Sequence, residues 1–103
     1  MLVLATLSFG AGWTGVLVDS NCKEAKASEA CPVAKGTENY GIVRDGFGHH
    51  YFRLDHEANR RVAAALAAWE KQKGKFPQGN IKVWFTGKPD GNRIALNDFQ
   101  IRQ

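Results

Sequence analysis

The stretch DHEANRRVAAALAAWEKQKG, residues 55–74, is the clearest helix in the chain, and what surrounds it reads as strand, loop or turn. Asp55 is a good N-cap, and Glu57 in the first turn meets the positive end of the helix dipole. Ala58, Val62, Ala65, Leu66 and Trp69 recur at i, i+4, i+7, i+8 and i+11, which makes one apolar stripe. Lys71 and Lys73 suit the last turn, and Gly74 stops it. Arg60, Arg61 and Glu70 are expected to face water.

The flanking segments carry the two-residue period of strands. WTGVLVDS places Trp13, Gly15 and Leu17 on one face and Thr14, Val16 and Val18 on the other. Both faces are apolar, as in a closed barrel or an interior strand. NYGIVRDGFGHHYFRLD reads as a hairpin with arms at 40–44 and 49–54, joined by Asp45-Gly46-Phe47-Gly48. NIKVWFTGKPDGNRIALNDFQIRQ reads as a second hairpin that turns at Pro89-Asp90-Gly91. Ile81, Val83 and Phe85 share a face, and Ile94 and Leu96 answer them. The apolar phase then slips to Phe99 and Ile101, which a bulge or bend near Asn97-Asp98 would reconcile. Residues 20–37 are polar, rich in Ala, Lys and Glu, and read as a long, partly ordered loop.

The order is therefore β-β-β-α-β-β. That is the order of an OB-fold, a five-stranded barrel with one helix between the third and fourth strands. A five-stranded antiparallel sheet with a helix across it is the competing architecture. At 103 residues the chain holds a single domain, expected over 13–103. A hydrophobic share of 44% and a charged share of 23% are ordinary for a globular protein, so disorder is not indicated. No apolar run is long enough for a membrane span. The net charge of +4 permits contact with anions without requiring it.

The opening MLVLATLSFGAGW is uncharged, with Leu2, Val3, Leu4 and Leu7 resembling the apolar core of an export signal and small residues following. Residues 1–12 are accordingly expected to be a signal remnant, although they lack a basic n-region, no Lys or Arg standing before Lys23; a buried N-terminal strand is the alternative. Export bears on Cys22 and Cys31, the chain's two cysteines. In an oxidising compartment they are candidates for a disulfide. The Cys-x8-Cys spacing is not that of a zinc knuckle and contains no Cys-x-x-Cys, so metal and redox pairs are weaker readings, beside two free buried thiols.

GWTGVLVDSNC with a second cysteine after it, the strand YGIVRDG and the closing VWFTGKPDGNRIALNDFQI together resemble a group of small exported bacterial proteins of unknown function, single-domain and OB-like. The resemblance covers most of residues 12–101, and its most specific part is Trp-Thr-Gly followed by Asp-Ser-x-Cys. It implies a periplasmic or secreted location and brings no catalytic residues.

Little else points to chemistry. His49 and His50 are adjacent on a strand and so point to opposite faces, which makes them poor joint ligands even with His56 nearby. Asp45, Asp55, Asp90 and Asp98 fit turn and cap duty. Ser20 has no histidine close in sequence. No metal, cofactor or enzymatic activity is expected. The strand aromatics carry more information. Tyr51 beside Arg53, and Trp84 beside Lys82, are expected to make surface contacts, because OB barrels bind ligands around strands two and three. The expected function is a monomeric, exported binding or structural module for an envelope protein, a glycan or a small anion. A single-stranded nucleic-acid-binding domain is an alternative that export disfavours. A metal or redox protein built on the cysteines is another.

Overall fold

The structure, a computed structural model, describes residues 12–46 and 48–103. The expected signal remnant lies outside the described residues but for Gly12, and so does Phe47 of the first hairpin turn. The elements run β1 (Trp13–Asp19), α1 (Ser20–Ala25), β2 (Tyr40–Arg44), β3 (Tyr51–Leu54), α2 (His56–Lys73), β4 (Ile81–Asp90) and β5 (Arg93–Ile101).

The five strands close into a barrel in the order β1-β2-β3-β5-β4. β1 pairs antiparallel with both β2 and β4, β2 with β3, and β4 with β5. The seam is a short parallel pairing of β3 with β5, where Arg53 faces Arg93 and Leu54 faces Ile94. With α2 between β3 and β4, this is an OB-like barrel, and the flat antiparallel sheet is excluded by the closed order.

The interior follows from the strand period. Leu17, Ile42, Phe52, Leu54, Ile81, Val83, Phe85 and Ile94 point inward and are buried. Each such side chain contributes about 1.5–3 kcal/mol when withdrawn from water. Ala58, Val62 and Leu66 of α2 join the same core, so the helix's apolar stripe closes onto the barrel. Asp55 caps α2 by accepting the Ala58 N–H at 2.8 Å, and Gly74 ends it at a φ of 82°. Trp69, the last member of the stripe, is only half-buried and carries the Lys73 ammonium over its ring.

The expected bulge is present. Phe85 pairs with Phe99 and Gly87 with Leu96, so Thr86 alone opposes both Asn97 and Asp98. The Thr86 hydroxyl accepts the Asp98 N–H at 3.1 Å. Arg61 corrects one expectation, since it does not simply face water. Its guanidinium donates to the Leu96 carbonyl at 3.0 Å and to the Asn97 carbonyl, both at the bulge. A bulge leaves ladder groups without strand partners, and a long cationic side chain can reach them. Glu70 is also half-buried and pairs with Lys35 at 2.8 Å, whereas Arg60 is exposed beside Glu57.

Two further expectations are corrected. Residues 20–37 are not merely loop, because Ser20–Ala25 form α1. Pro89 and Asp90 belong to β4, pairing with Ile94 and Arg93, so the second hairpin turns at Gly91-Asn92. Gly91 has a φ of 63°, a value that suits the residue without a side chain.

Candidate ligand-binding face

The β1–β2 connection is built on Asp19. One carboxylate oxygen accepts the Cys22 N–H at 3.1 Å and so caps α1. The other accepts the Thr37 hydroxyl at 3.1 Å, from the far end of the same connection. Cys22 and Cys31 are joined by a disulfide. The strand-like approach of Pro32 to Val18 and the Asp19 N–H bond to the Cys31 carbonyl at 2.9 Å seat the second half of the loop against β1. That seating explains Val18. It points away from the barrel interior yet is buried.

From the tethered α1, which packs beside β1 and β2, the Glu24 side chain reaches the outer side of β3. Tyr51 and Arg53 point outward there, alternating with the buried Phe52 and Leu54. The Tyr51 hydroxyl donates to one Glu24 oxygen at 2.8 Å, and Arg53 pairs with the other at 3.0 Å. The Tyr51 ring lies over Gly41 of β2, where any β-carbon would come within 2.5 Å of the ring. Burial, and then the hydrogen bond to Glu24, push the Tyr51 phenol up to about 12. Tyr51 is therefore a hydrogen-bond donor throughout the physiological range. The Ser20 hydroxyl adjoins the same phenol from the buried side and favours its ionisation weakly. Ser20 Oγ has no hydrogen-bond partner among the described residues, so no histidine pairs with it there.

A cleft of about 390 Å3 opens at this place. Its walls are Lys23, Glu24 and Ala27 from the α1 side, Tyr51 and Arg53 from β3, Asn92 from the β4–β5 turn and Arg93 from the start of β5. Three cationic side chains thus meet one carboxylate. Arg53 and Arg93 are register partners, a placement that sets two like charges opposite each other. Glu24 neutralises Arg53, but among the described residues no carboxylate pairs with Arg93. Lys23 donates to the Glu29 carbonyl at 2.6 Å, which leaves its charge uncompensated. On the far side of the two arginines is a second cleft, lined by Asn39, Asp55, His56 and Asn59. Two of its polar groups have structural duties: Asp55 caps α2, and Asn59 accepts the Tyr40 N–H at 2.7 Å.

Tyr51 and Arg53 are brought together as the sequence suggests, and Trp84 is not. It lies on β4, which the strand order separates from β3 by β5 on one side and by β1 and β2 on the other. There it is half-buried, with its indole against Gly12 and the Arg102 guanidinium over its ring. Lys23, Glu24, Asn92 and Arg93 were not foreseen as individual residues. The OB preference for the loops beside strands two and three is the signal that leads to them.

Metal chemistry loses its best ligands, because each cysteine sulfur is bonded to the other. The described residues contain no group of three or more His, Cys, Asp or Glu placed to hold an ion. His50 instead packs on Phe52 and contacts the Gly91 carbonyl at 3.1 Å. No helix among the described residues is long and apolar enough to cross a membrane. No protein-family model, curated protein or solved structure matches this chain.

Proposed function

We propose that the chain is an exported, non-enzymatic binding module whose OB-like barrel takes an anionic ligand on the outer face of β3. The observation that carries this reading is the excess of positive charge in the cleft, where Lys23, Arg53 and Arg93 are opposed by Glu24 alone. Guanidinium groups suit anions because their planar donors match the two oxygens of a carboxylate or phosphate. The cleft also lies between the β1–β2 and β4–β5 connections, where OB barrels place their ligands. The apolar, uncharged opening and the disulfide support export and membership of the small exported proteins that the Trp-Thr-Gly and Asp-Ser-x-Cys pattern resembles. Single-strand binding has less support, because base stacking wants successive aromatic platforms and the cleft wall contributes Tyr51.

The test is an NMR titration of the 15N-labelled protein with acetate, inorganic phosphate and galacturonate in turn. Shifts concentrated at Tyr51, Arg53, Asn92 and Arg93 are expected. Shifts that spread evenly over all basic surfaces would remove the site. Export is tested separately by the intact mass of the protein from its own host: a chain retaining residues 1–12 would remove that part.

A further inference from the structure

The Glu24 carboxylate sits on the β3 face where two donors converge. Tyr51 O–H and Arg53 N–H hold its two oxygens at 2.8 and 3.0 Å, forming a fork that already accommodates a carboxylate. The partner that holds it there is weakly bound. Glu24 is exposed, on a helix of only six residues, and its ion pair with Arg53 is open to water on both sides. Such pairs contribute about 0–1 kcal/mol, so exchange for an external carboxylate costs little. The neighbouring Arg93 supplies a second cation without an ion-pair partner among the described residues. Beneath the fork, Ser20 Oγ is buried and adjoins the Tyr51 phenol. It gives that hydroxyl an alternative contact when Glu24 leaves.

Resting on the anion-binding reading above, we infer that the ligand of this face is a carboxylate-bearing sugar, a uronate, and that Glu24 is its built-in competitor. The uronate carboxylate replaces Glu24 in the Tyr51–Arg53 fork, and Glu24 swings out with α1 still tethered at Cys22. A sugar fits better than an acidic peptide. Peptides that bind sheets add as a strand along a free edge. β3 has only four residues, of which three pair with β2 and two with β5, so no such edge is open. A half-exposed tyrosine ring beside arginines and an asparagine offers a flat apolar surface rimmed by donors, which suits a pyranose acid.

Isothermal titration with trigalacturonate tests this, with neutral trigalactose and tri-glutamate as comparisons. Glu24→Gln should bind trigalacturonate about two- to fivefold more tightly than the parent chain, the gain expected from removing a weak competing pair. Glu29→Gln removes the same charge from the same connection and should leave affinity unchanged. Tyr51→Phe keeps the ring and removes one prong of the fork, and should weaken binding. The Glu24 side-chain 13C carboxylate signal should move to its free-solution position at saturation. Binding that maps to the cleft with equal affinity in the parent and Glu24→Gln proteins overturns the competitor and leaves the anion site standing. Preference for tri-glutamate overturns the sugar. No binding of any probe by either protein overturns both.

Discussion

Gly41 lies directly beneath the Tyr51 ring: a β-carbon at position 41 would stand 2.5 Å from Tyr51 Cε1 and 2.9 Å from the Phe52 carbonyl oxygen. The first neighbour can swing away, but the second is backbone in the paired strand. Gly41→Ala should therefore tilt Tyr51 off β2, break its bond to Glu24 and cost about 1–3 kcal/mol, as overpacking does. Urea unfolding gives the cost, and the Tyr51 ring proton shifts report the tilt. An unchanged midpoint with unchanged shifts would show that the close approach is relieved elsewhere.

The Cys22–Cys31 bridge spans nine positions of sequence. A loop of this length should contribute about 2.5–3 kcal/mol by restricting the unfolded chain. The Cys22→Ser, Cys31→Ser double variant should lose about that much in chemical denaturation. It should also lose the amide protection of α1 before that of the barrel, because the tether acts on the connection and not on the core.

The pKa of the Tyr51 phenol is pushed up to about 12 in the folded chain, against 10.0 for a free phenol. A raised value means that the folded state prefers the proton. The stability linked to Tyr51 is then complete below pH 10 and is lost as pH rises through the interval to about 12. Burial and the nearby Asp19 carboxylate push Tyr40 up as well. Absorbance at the phenolate band should show no normal tyrosine titration until the chain unfolds in alkali. In Tyr51→Phe, the alkaline loss of stability should shrink to the part due to Tyr40.

Arg60 and Arg61 are adjacent on α2, yet they should respond differently to removal. Arg61 donates to two bulge carbonyls of β5, whereas Arg60 meets the exposed Glu57 at 3.2 Å. Arg61→Ala should cost about 1.5–3 kcal/mol, the range for hydrogen bonds from a charged donor. Arg60→Ala should stay within about 0.5 kcal/mol. Thermal melts of the two variants, side by side, decide the matter, and equal melting temperatures would deny Arg61 its role at the bulge.

The sequence made the barrel legible because its signals were local. The alternation of Ile81, Val83 and Phe85, the caps at Asp55 and Gly74, and the phase slip between Leu96 and Phe99 can each be read within a few residues. Helix α1 escaped because six residues are too few to show a period. The Asp19 cap before Ser20 was its one trace. Arg61 looked solvent-facing because the helical period places it off the apolar stripe and says nothing of a strand bulge within reach. The cleft was only half legible. Tyr51 and Arg53 share a strand face, but Glu24 and Arg93 reach them through the β1–β2 connection and the parallel seam, pairings that leave no mark in neighbouring residues. Trp84 looked equivalent to Tyr51 until the strand order placed it elsewhere on the barrel.

The parallel seam has one more consequence. β1, β2 and β3 form one continuous antiparallel run, β4 and β5 form a hairpin that follows α2, and Arg53 and Arg93 come from either side of that division. A chain that has made its β1–β3 run and its β4–β5 hairpin but not yet joined them has the Tyr51–Arg53 fork without the Asn92–Arg93 wall beside it. A ligand spanning from Arg53 to Arg93 would hold most tightly to molecules whose two halves have met and would act as a clasp, slowing the opening of the barrel from the outside.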